Sequence, residues 1–466
     1  MTAREGQHVA VKSRTRWVVL AILSLGLLMV VLDNSVLYTA LPALTDDLGA
    51  TSSEALWIIN AYPLVMAGLL LGAGGLGDKF GHKRLFVWGM GIFGVASVVA
   101  AYSPTPAILI AARALLAVGA AMVMPATLAL IRQTFTEARE RNIAISIWGS
   151  VSLVGAALGP VTAGLLLEHF WWGSVFLINI PIAVVAVISA AWLVPRSEAK
   201  PDTPWDWVSS LMALVGLAAL VFVIKEVAGA DRRWPVVIIS FVVAAVAMVL
   251  FARRQRGLAH PLLDFAVFRS RPVSAGIIAA GVAMFAIAGM QLVATQRFQL
   301  GDGFTPLEAG LLVTCLAGGA LPSGLLAGFV MHKIGVSPLI VGGLITASIG
   351  LIGALVALPL GVVAFGAGLA VMGFGLGAVM AAASSAVMGN IAPERAGMGS
   401  SLEEVSYEFG SLTAVAVLGS IFSGMAAAGD INGGFSAAAM ITCVILVLGV
   451  ASTALLLRGV EVKQGH

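Results

Sequence analysis

The sequence predicts an all-α polytopic membrane protein in which two six-helix bundles flank an inserted helix pair, fourteen transmembrane helices in all. Three observations carry this prediction. Of 466 residues, 59% are hydrophobic and only 11% charged, against about 25% charged in soluble domains. Mean hydropathy is +1.02. The apolar runs are about twenty residues long, enough for a helix to cross ~30 Å of hydrocarbon, and they lack the polar/apolar alternation of a barrel strand.

In chain order, the apolar stretches and their breaks predict helices over 17–42, 55–76, 85–102, 106–132, 143–167 and 173–194. They continue over 205–226, 235–252, 272–300, 307–331, 337–358, 360–390, 398–426 and 435–457. The first run follows Lys12, Arg14 and Arg16 like a secretory leader. It is too long for one, carries Asp33 and lacks a small-residue cleavage site, so a retained helix is expected.

An even number of spans puts both termini on one side, and the cations then alternate between connections. Arg16, Lys79, Lys83, Arg84, Arg141, Arg254, Arg271, Lys333 and Arg395 share the side of the termini, whereas Lys225, Arg232 and Arg233 lie opposite. The positive-inside rule therefore predicts cytoplasmic termini and a multi-pass protein of the cell membrane. The formal charge of +3 belongs to these flanks, so it indicates topology and no nucleic-acid partner.

A weak repeat divides the chain. Gly74, Lys79 and Gly81, after the second span, match Gly328, Lys333 and Gly335, after the tenth, with the same internal spacing. Three units are expected: 1–194, a six-helix bundle; 195–256, the inserted pair, spans seven and eight; and 257–466, a second six-helix bundle.

Several function classes are excluded. No G-x-x-x-x-G-K-[ST] stretch occurs, so ATP is not the direct energy source and a proton gradient is expected to drive transport, with no cofactor. The six histidines are scattered and the two cysteines, Cys315 and Cys443, stand far apart, so neither a catalytic set nor a metal site is expected. A channel would want rings of repeated residues in an oligomer. Acids in two different spans fit that poorly, and a monomer in a lipid bilayer is expected.

The acids are the unusual residues. Asp33 lies sixteen residues past Trp17, roughly 24 Å along a helix, and Glu408 is ten residues into its span, roughly 15 Å deep. Facing lipid, Asp33, Glu403, Glu404 and Glu408 would cost on the order of 10 kcal/mol together, at ~2.5–3.5 each. They must therefore line a cavity or pair internally. The nearby spans supply only one deep cation, Arg113, with Arg297 at an edge, so some acids must take up protons. Glu404 and Glu408 are four apart on one helix face, where like charge and low dielectric favour a shared proton released when a cation arrives. Glu403 points about 100° away.

Tyr38, Trp57, Asn60, Tyr62, Trp148 and Tyr407 flank the acids in sequence and are expected to form a pocket for lipophilic cations through burial and cation–π attraction. Trp171 and Trp172 read as interfacial belt residues.

The tightest polar cluster runs Gly74-Gly75-Leu76-Gly77-Asp78-Lys79-Phe80-Gly81-His82-Lys83-Arg84 between the second and third spans. It resembles the cytoplasmic gate motif of the major facilitator superfamily. Gly155-Ala156-Ala157-Leu158-Gly159-Pro160 with Gly164 looks like that superfamily's fifth-helix antiporter motif, a proline-kinked glycine stripe suited to close helix packing. The stretches Leu32-Asp33-Asn34-Ser35-Val36 and Phe176-Leu177-Ile178-Asn179-Ile180-Pro181 are similar to the fourteen-span drug:proton antiporter branch. The fourth span keeps Arg113 and Gly119 of the family pattern. Acids in the thirteenth span narrow the resemblance to exporters of quaternary ammonium compounds and methyl viologen.

The resemblance implies a major facilitator fold and proton-coupled efflux of cationic drugs, dyes and biocides by alternating access. The competing expectation is an uptake symporter for a small organic solute. The glycine-proline fifth span and the acids of the thirteenth favour export.

Overall fold

A computed structural model describes residues 13–195, 199, 206–228, 233–258, 261–391 and 396–459. The described chain is helical and contains no strand. The front block comprises α1 (Ser13–Leu48), α2 (Ser52–Phe80), α3 (His82–Ala101), α4 (Pro106–Thr134), α5 (Ala138–His169), and the broken pair α6 (Ser174–Leu177) and α7 (Asn179–Leu193). Then come α8 (Trp207–Ala228) and α9 (Trp234–Gly257). The rear block holds α10 (Arg271–Gln296), α11 (Pro306–Ile334), α12 (Val336–Ala357), α13 (Val362–Met388), α14 (Ala396–Ala414), α15 (Ser420–Ala427) and α16 (Ile431–Leu457). Among the described residues, 14 segments are long and apolar enough to cross a membrane.

Two apolar cores hold the chain together. One is built from α1 to α7, around Leu23, Phe86, Phe93 and Phe176, and the other from α10 to α16, around Met290, Phe298, Phe365 and Phe435. A smaller cluster joins Leu64 and Ala67 of α2 to Leu217 and Val221 of α8 and Leu412 of α14. The inserted helix α8 thus packs beside the junction of the two cores.

Small residues set the closest approaches. A Cβ on Gly89 would lie 2.8 Å from the Gly119 carbonyl, which fixes α3 against α4, and one on Gly343 would lie 2.7 Å from the Gly375 carbonyl, which fixes α12 against α13. Gly81 and Gly335, matched in the sequence repeat, have φ of 91° and 90°. Each turns one helix straight into the next, a backbone that glycine alone adopts without strain.

The helices depart from the sequence expectation in four spans. The first runs on through Pro42 to Leu48, beyond the expected end near 42. The sixth span is interrupted at the single residue Ile178, directly before the helix resumes at Asn179, because Pro181 lacks the N–H that would continue the ladder. The ninth and thirteenth spans contain π-helical turns, Arg297–Gly301 and Val415–Gly419. Such one-residue insertions swing the following side chains around the axis.

Caps fix several ends. Thr51 with Glu54 and Thr305 with Glu308 form capping boxes at the starts of α2 and α11. Lys83 Nζ donates to the carbonyls of Ala191 (2.9 Å) and Val194 (2.7 Å), so a gate-motif cation closes the C-terminal end of α7, where the helix dipole favours positive charge.

Candidate substrate and proton site

The site is built around Asp33 on α1. Its side chain is 0% exposed and forms an ion pair with Arg113 of α4, also 0% exposed. Asn179 Nδ2 donates to the other carboxylate oxygen at 2.7 Å and to Ser97 Oγ at 3.2 Å. The Arg113 guanidinium donates from Nε to the Ile58 carbonyl at 3.3 Å and lies 4.6 Å from the Tyr62 ring centre. Four helices therefore converge on one charge pair. Both carboxylate oxygens of Asp33 are engaged, whereas Arg113 Nη2 is buried without a hydrogen-bond partner.

The thirteenth span faces this pair across the bundle junction. Tyr38 and Ser411 hydroxyls meet at 3.1 Å, tying α1 to α14. Glu408 lies one turn before Ser411, is 7% exposed, and its Oε2 has no hydrogen-bond partner. It is within electrostatic reach of Glu404 and Arg113. Glu404 is partly exposed on the same helix face. Tyr62 feels Asp33, Glu408, Arg113 and Glu404 together, which places one aromatic ring among all four charges. Glu403 is engaged differently. It accepts from Tyr407 at 2.7 Å and from Ser384 of α13 at 3.2 Å, so it ties α14 to the rear bundle.

The other expected residues divide. Asn60 is buried with Oδ1 unpartnered. Trp148 packs on the front core with its Nε1 unpartnered. Trp57 is turned toward the inserted helix: its ring lies 6.0 Å from that of Phe222 and 5.4 Å from Lys225 Nζ. The expected ring of aromatics around the acids is therefore corrected for Trp57, because α8 covers that flank of α2. Of the two expected belt residues, Trp172 is the inner one. Its ring is buried against the protein and its Nε1 donates to Asp47 at the end of α1 at 2.5 Å, while Trp171 stays exposed.

In the gate motif, Lys79 lies beside Phe80, Lys83 caps α7, Gly81 makes the turn and Arg84 is exposed. The side chains of Gly74 and Asp78 fall outside the described residues. In the antiporter motif, a Cβ on Gly155 would meet Val31 and Leu28 of α1 at 3.3 Å, and one on Gly159 would strike Ser35. Gly164 faces the Leu307 backbone of α11, and Gly310 faces the Pro160 carbonyl. The glycine stripe lets α5 lie between α1 and α11.

With the side where α1 starts taken as near, the cross-bundle hydrogen bonds among the described residues lie at mid-depth or beyond. They join Tyr38 to Ser411, Gln299 to the Thr39 carbonyl (3.0 Å), and Thr314 to the Ala157 carbonyl (3.2 Å). Gly419 against Leu56 adds a far-side contact. The bundles are sealed against each other on the far side.

The sequence assigns no site role to Ser97, Ser384 or Ser411, and it marks Asn179 only as part of a family-like stretch and Lys225 only as a topology cation. Asn179 carried a signal, since it is a polar residue opening an otherwise apolar helix.

Two helical bundles meeting at buried charges, with no extended soluble domain among the described residues, define a polytopic membrane transporter. The comparisons with known proteins specify which kind: the family pattern described as Major Facilitator Superfamily matches residues 23–401, and the chain belongs to that superfamily. It is 37% identical over 415 residues to the methyl viologen resistance protein SmvA of Salmonella typhimurium, covering 88% of this chain and 83% of that one. It is 35% identical over 424 residues to the multidrug efflux pump LfrA of Mycolicibacterium smegmatis, covering 91% and 84%. A tetracenomycin C resistance and export protein of Streptomyces glaucescens is 32% identical over 416 residues, covering 86% and 75%.

Proposed function

We propose that this chain is a proton-coupled multidrug antiporter that expels lipophilic cations across the cell membrane by alternating access, with both termini in the cytoplasm. The observation that carries the reading is the buried, unpartnered Glu408 Oε2, one helical turn from Glu404 and across the bundle junction from the buried Asp33–Arg113 ion pair. A carboxylate cannot remain charged there without a partner, so it holds either a proton or a cation. Mutual exclusion of those two occupants is antiport.

Roles follow from the partners. Glu408 and Glu404 exchange proton for drug. Asp33 and Arg113 hold α1 to α4, and the Arg113 charge helps discharge a proton from Glu408. Glu403, bonded to Tyr407 and Ser384, orients the acidic helix. Tyr38 and Tyr62 supply rings for a cation, worth about 0.5–2 kcal/mol each by cation–π attraction. Far-side closure leaves the near side, the cytoplasm in this reading, as the loading side. Resistance and efflux relatives support export over uptake, and a methyl viologen resistance relative supports a cationic cargo. No nucleotide, metal or enzymatic step is required.

The test is ethidium efflux from energised cells producing the protein, with and without a protonophore. Efflux that stops with the protonophore while cellular ATP is held constant is the expected result. Gradient-independent efflux, or net uptake driven by the same gradient, overturns the reading.

A further inference from the structure

An apolar cleft of about 420 Å3 lies on the back of the acidic helix, away from Glu404 and Glu408. Its floor is α10 and α14, and its walls are Leu217 of the inserted helix α8 and Ile445 of α16. On α14 it is lined by Val405, Phe409 and Thr413. With Ser406 and Gly410, these positions centre on the side of the helix opposite Glu404, Glu408 and Ser411 at 100° per residue, with Val405 at the edge nearest Glu408. The cleft is not the drug and proton site.

One stripe on α10 leads out of it. Arg271, Ser274, Ile278, Gly281 and Phe285 are spaced three and four apart, so they share a helix face. Ile278, Gly281 and Phe285 line the cleft. Arg271, two turns toward the near side from Ile278 on that face, is exposed, and Arg269 just before it is exposed too. Neither has a carboxylate partner among the described residues. Ser274 marks the boundary, its Oγ bonded to the Phe268 carbonyl at 2.9 Å. From Arg271 the stripe runs fourteen residues to Phe285, about 21 Å, whereas one leaflet of hydrocarbon is about 15 Å deep. Cation at the surface, then apolar trough for one leaflet's depth, is the outline of a single anionic phospholipid.

We infer that this cleft seats one anionic phospholipid, its phosphate on Arg271 and Arg269 and an acyl chain along α10 between α8 and α16. The guanidinium fork suits a phosphate, and the trough offers the chain side chains from four helices, where an annular lipid would meet one surface. The inserted pair thereby gains a role. Without α8 the trough has one wall, so the pair completes a lipid seat that braces α14 from behind.

The test uses the purified full chain in detergent, titrated with dioleoyl phosphatidylglycerol or dioleoyl phosphatidylcholine and read by native mass spectrometry. Phosphatidylglycerol is expected to bind as a single tight adduct and phosphatidylcholine more weakly. Arg271→Gln is expected to weaken phosphatidylglycerol about fivefold, the worth of roughly 1 kcal/mol for one cation near an anionic headgroup.

A Cβ on Gly281 meets only the Ser406 carbonyl, at 3.5 Å. Gly281→Leu therefore fills the trough without striking backbone and should abolish the tight adduct for both lipids. Ile278→Trp is the second filling variant, chosen from a position already 37% exposed. Lipid-free unfolding temperatures matching the parent show that the fold is intact. Equal binding of the two lipids, unchanged phosphatidylglycerol binding in Arg271→Gln and in a folded filling variant, or displacement of the adduct by tetraphenylphosphonium would each overturn the proposal.

Discussion

Asp33 and Arg113, eighty positions apart in sequence, form an ion pair from which solvent is excluded, with Asn179 bonded to the second carboxylate oxygen. Removing one member of a buried pair leaves the other charge uncompensated, at a cost of about 3–5 kcal/mol, whereas replacing both is far milder. Asp33→Asn and Arg113→Gln should each destabilise by roughly that amount, and the double variant should recover most of it. Thermal unfolding of the three purified variants checks this. Additive losses in the double variant would mean that the pair does not act as a unit.

Glu408 stands in the opposite situation, buried and without a partner on Oε2. Its amide removes a charge that nothing satisfies, so Glu408→Gln should unfold at the same temperature as the parent or higher. It should still bind ethidium but release fewer protons on binding than the parent, measured with a pH dye in weakly buffered detergent solution. Glu404→Gln should weaken cation binding while leaving part of the proton release. Intact antiport in both amide variants would remove these residues from the site.

The count and length of spans were legible because bilayer thickness dictates them, and the acids were legible because a charge inside an apolar run is conspicuous. Which face each helix turns inward was not. A helix that is apolar all round shows no difference between its lipid face and its core face, so Trp57 could be assigned to the acids when α8 in fact covers it. The donation from Asn179 to Asp33 depends on an interruption at Ile178 that residue spacing alone does not locate. The π turn at Val415–Gly419 likewise resets the register of the thirteenth span without any glycine or proline unique to it.

Gly310 sits against the Pro160 carbonyl, and the two bundles touch along that line. A larger side chain there must push α5 and α11 apart on the far side. Gly310→Leu should destabilise the far-side-closed form by about 1–3 kcal/mol, the usual result of overpacking, and so shift the protein toward far-side opening. Cysteine-accessibility labelling at Thr39 after substitution to cysteine should accelerate in that background, and ethidium efflux should fall. Gly318→Leu is the control, since a Cβ there meets nothing within 4 Å.

At the near end of the inserted pair, Asp206 accepts from the Ser209 backbone at 3.1 Å and from Arg254 Nη2 at 2.9 Å. Burial pushes its carboxyl up, but the hydrogen bonds from Arg254 and Ser209 outweigh burial and hold it below its ordinary 3.8. A depressed folded value stabilises fully above that ordinary value, and the stabilisation is lost as pH falls through the folded one. Asp206→Asn should therefore lower the unfolding temperature at pH 7, and the difference from the parent should shrink below pH 4. A difference that stays constant down to pH 3 would assign the loss to the capping geometry and not to the charge.

Energetics set the last expectation. Exchange of one proton for one monovalent cation moves no net charge and draws on the pH gradient alone, while a membrane potential opposes cation export by ~2.3 kcal/mol per charge per 100 mV. Glu404 and Glu408 on one helix face can unload two protons against one incoming cation, since both carboxyls compete for the same space. Two protons inward for one monovalent drug outward carries one net positive charge inward, so an inside-negative potential should speed efflux. In proteoliposomes at fixed pH gradient, a valinomycin-imposed potential should raise the rate of ethidium export in the parent chain. The effect should vanish in Glu404→Gln, which leaves one exchangeable proton. A parent rate indifferent to potential would reduce the stoichiometry to one proton per monovalent cation.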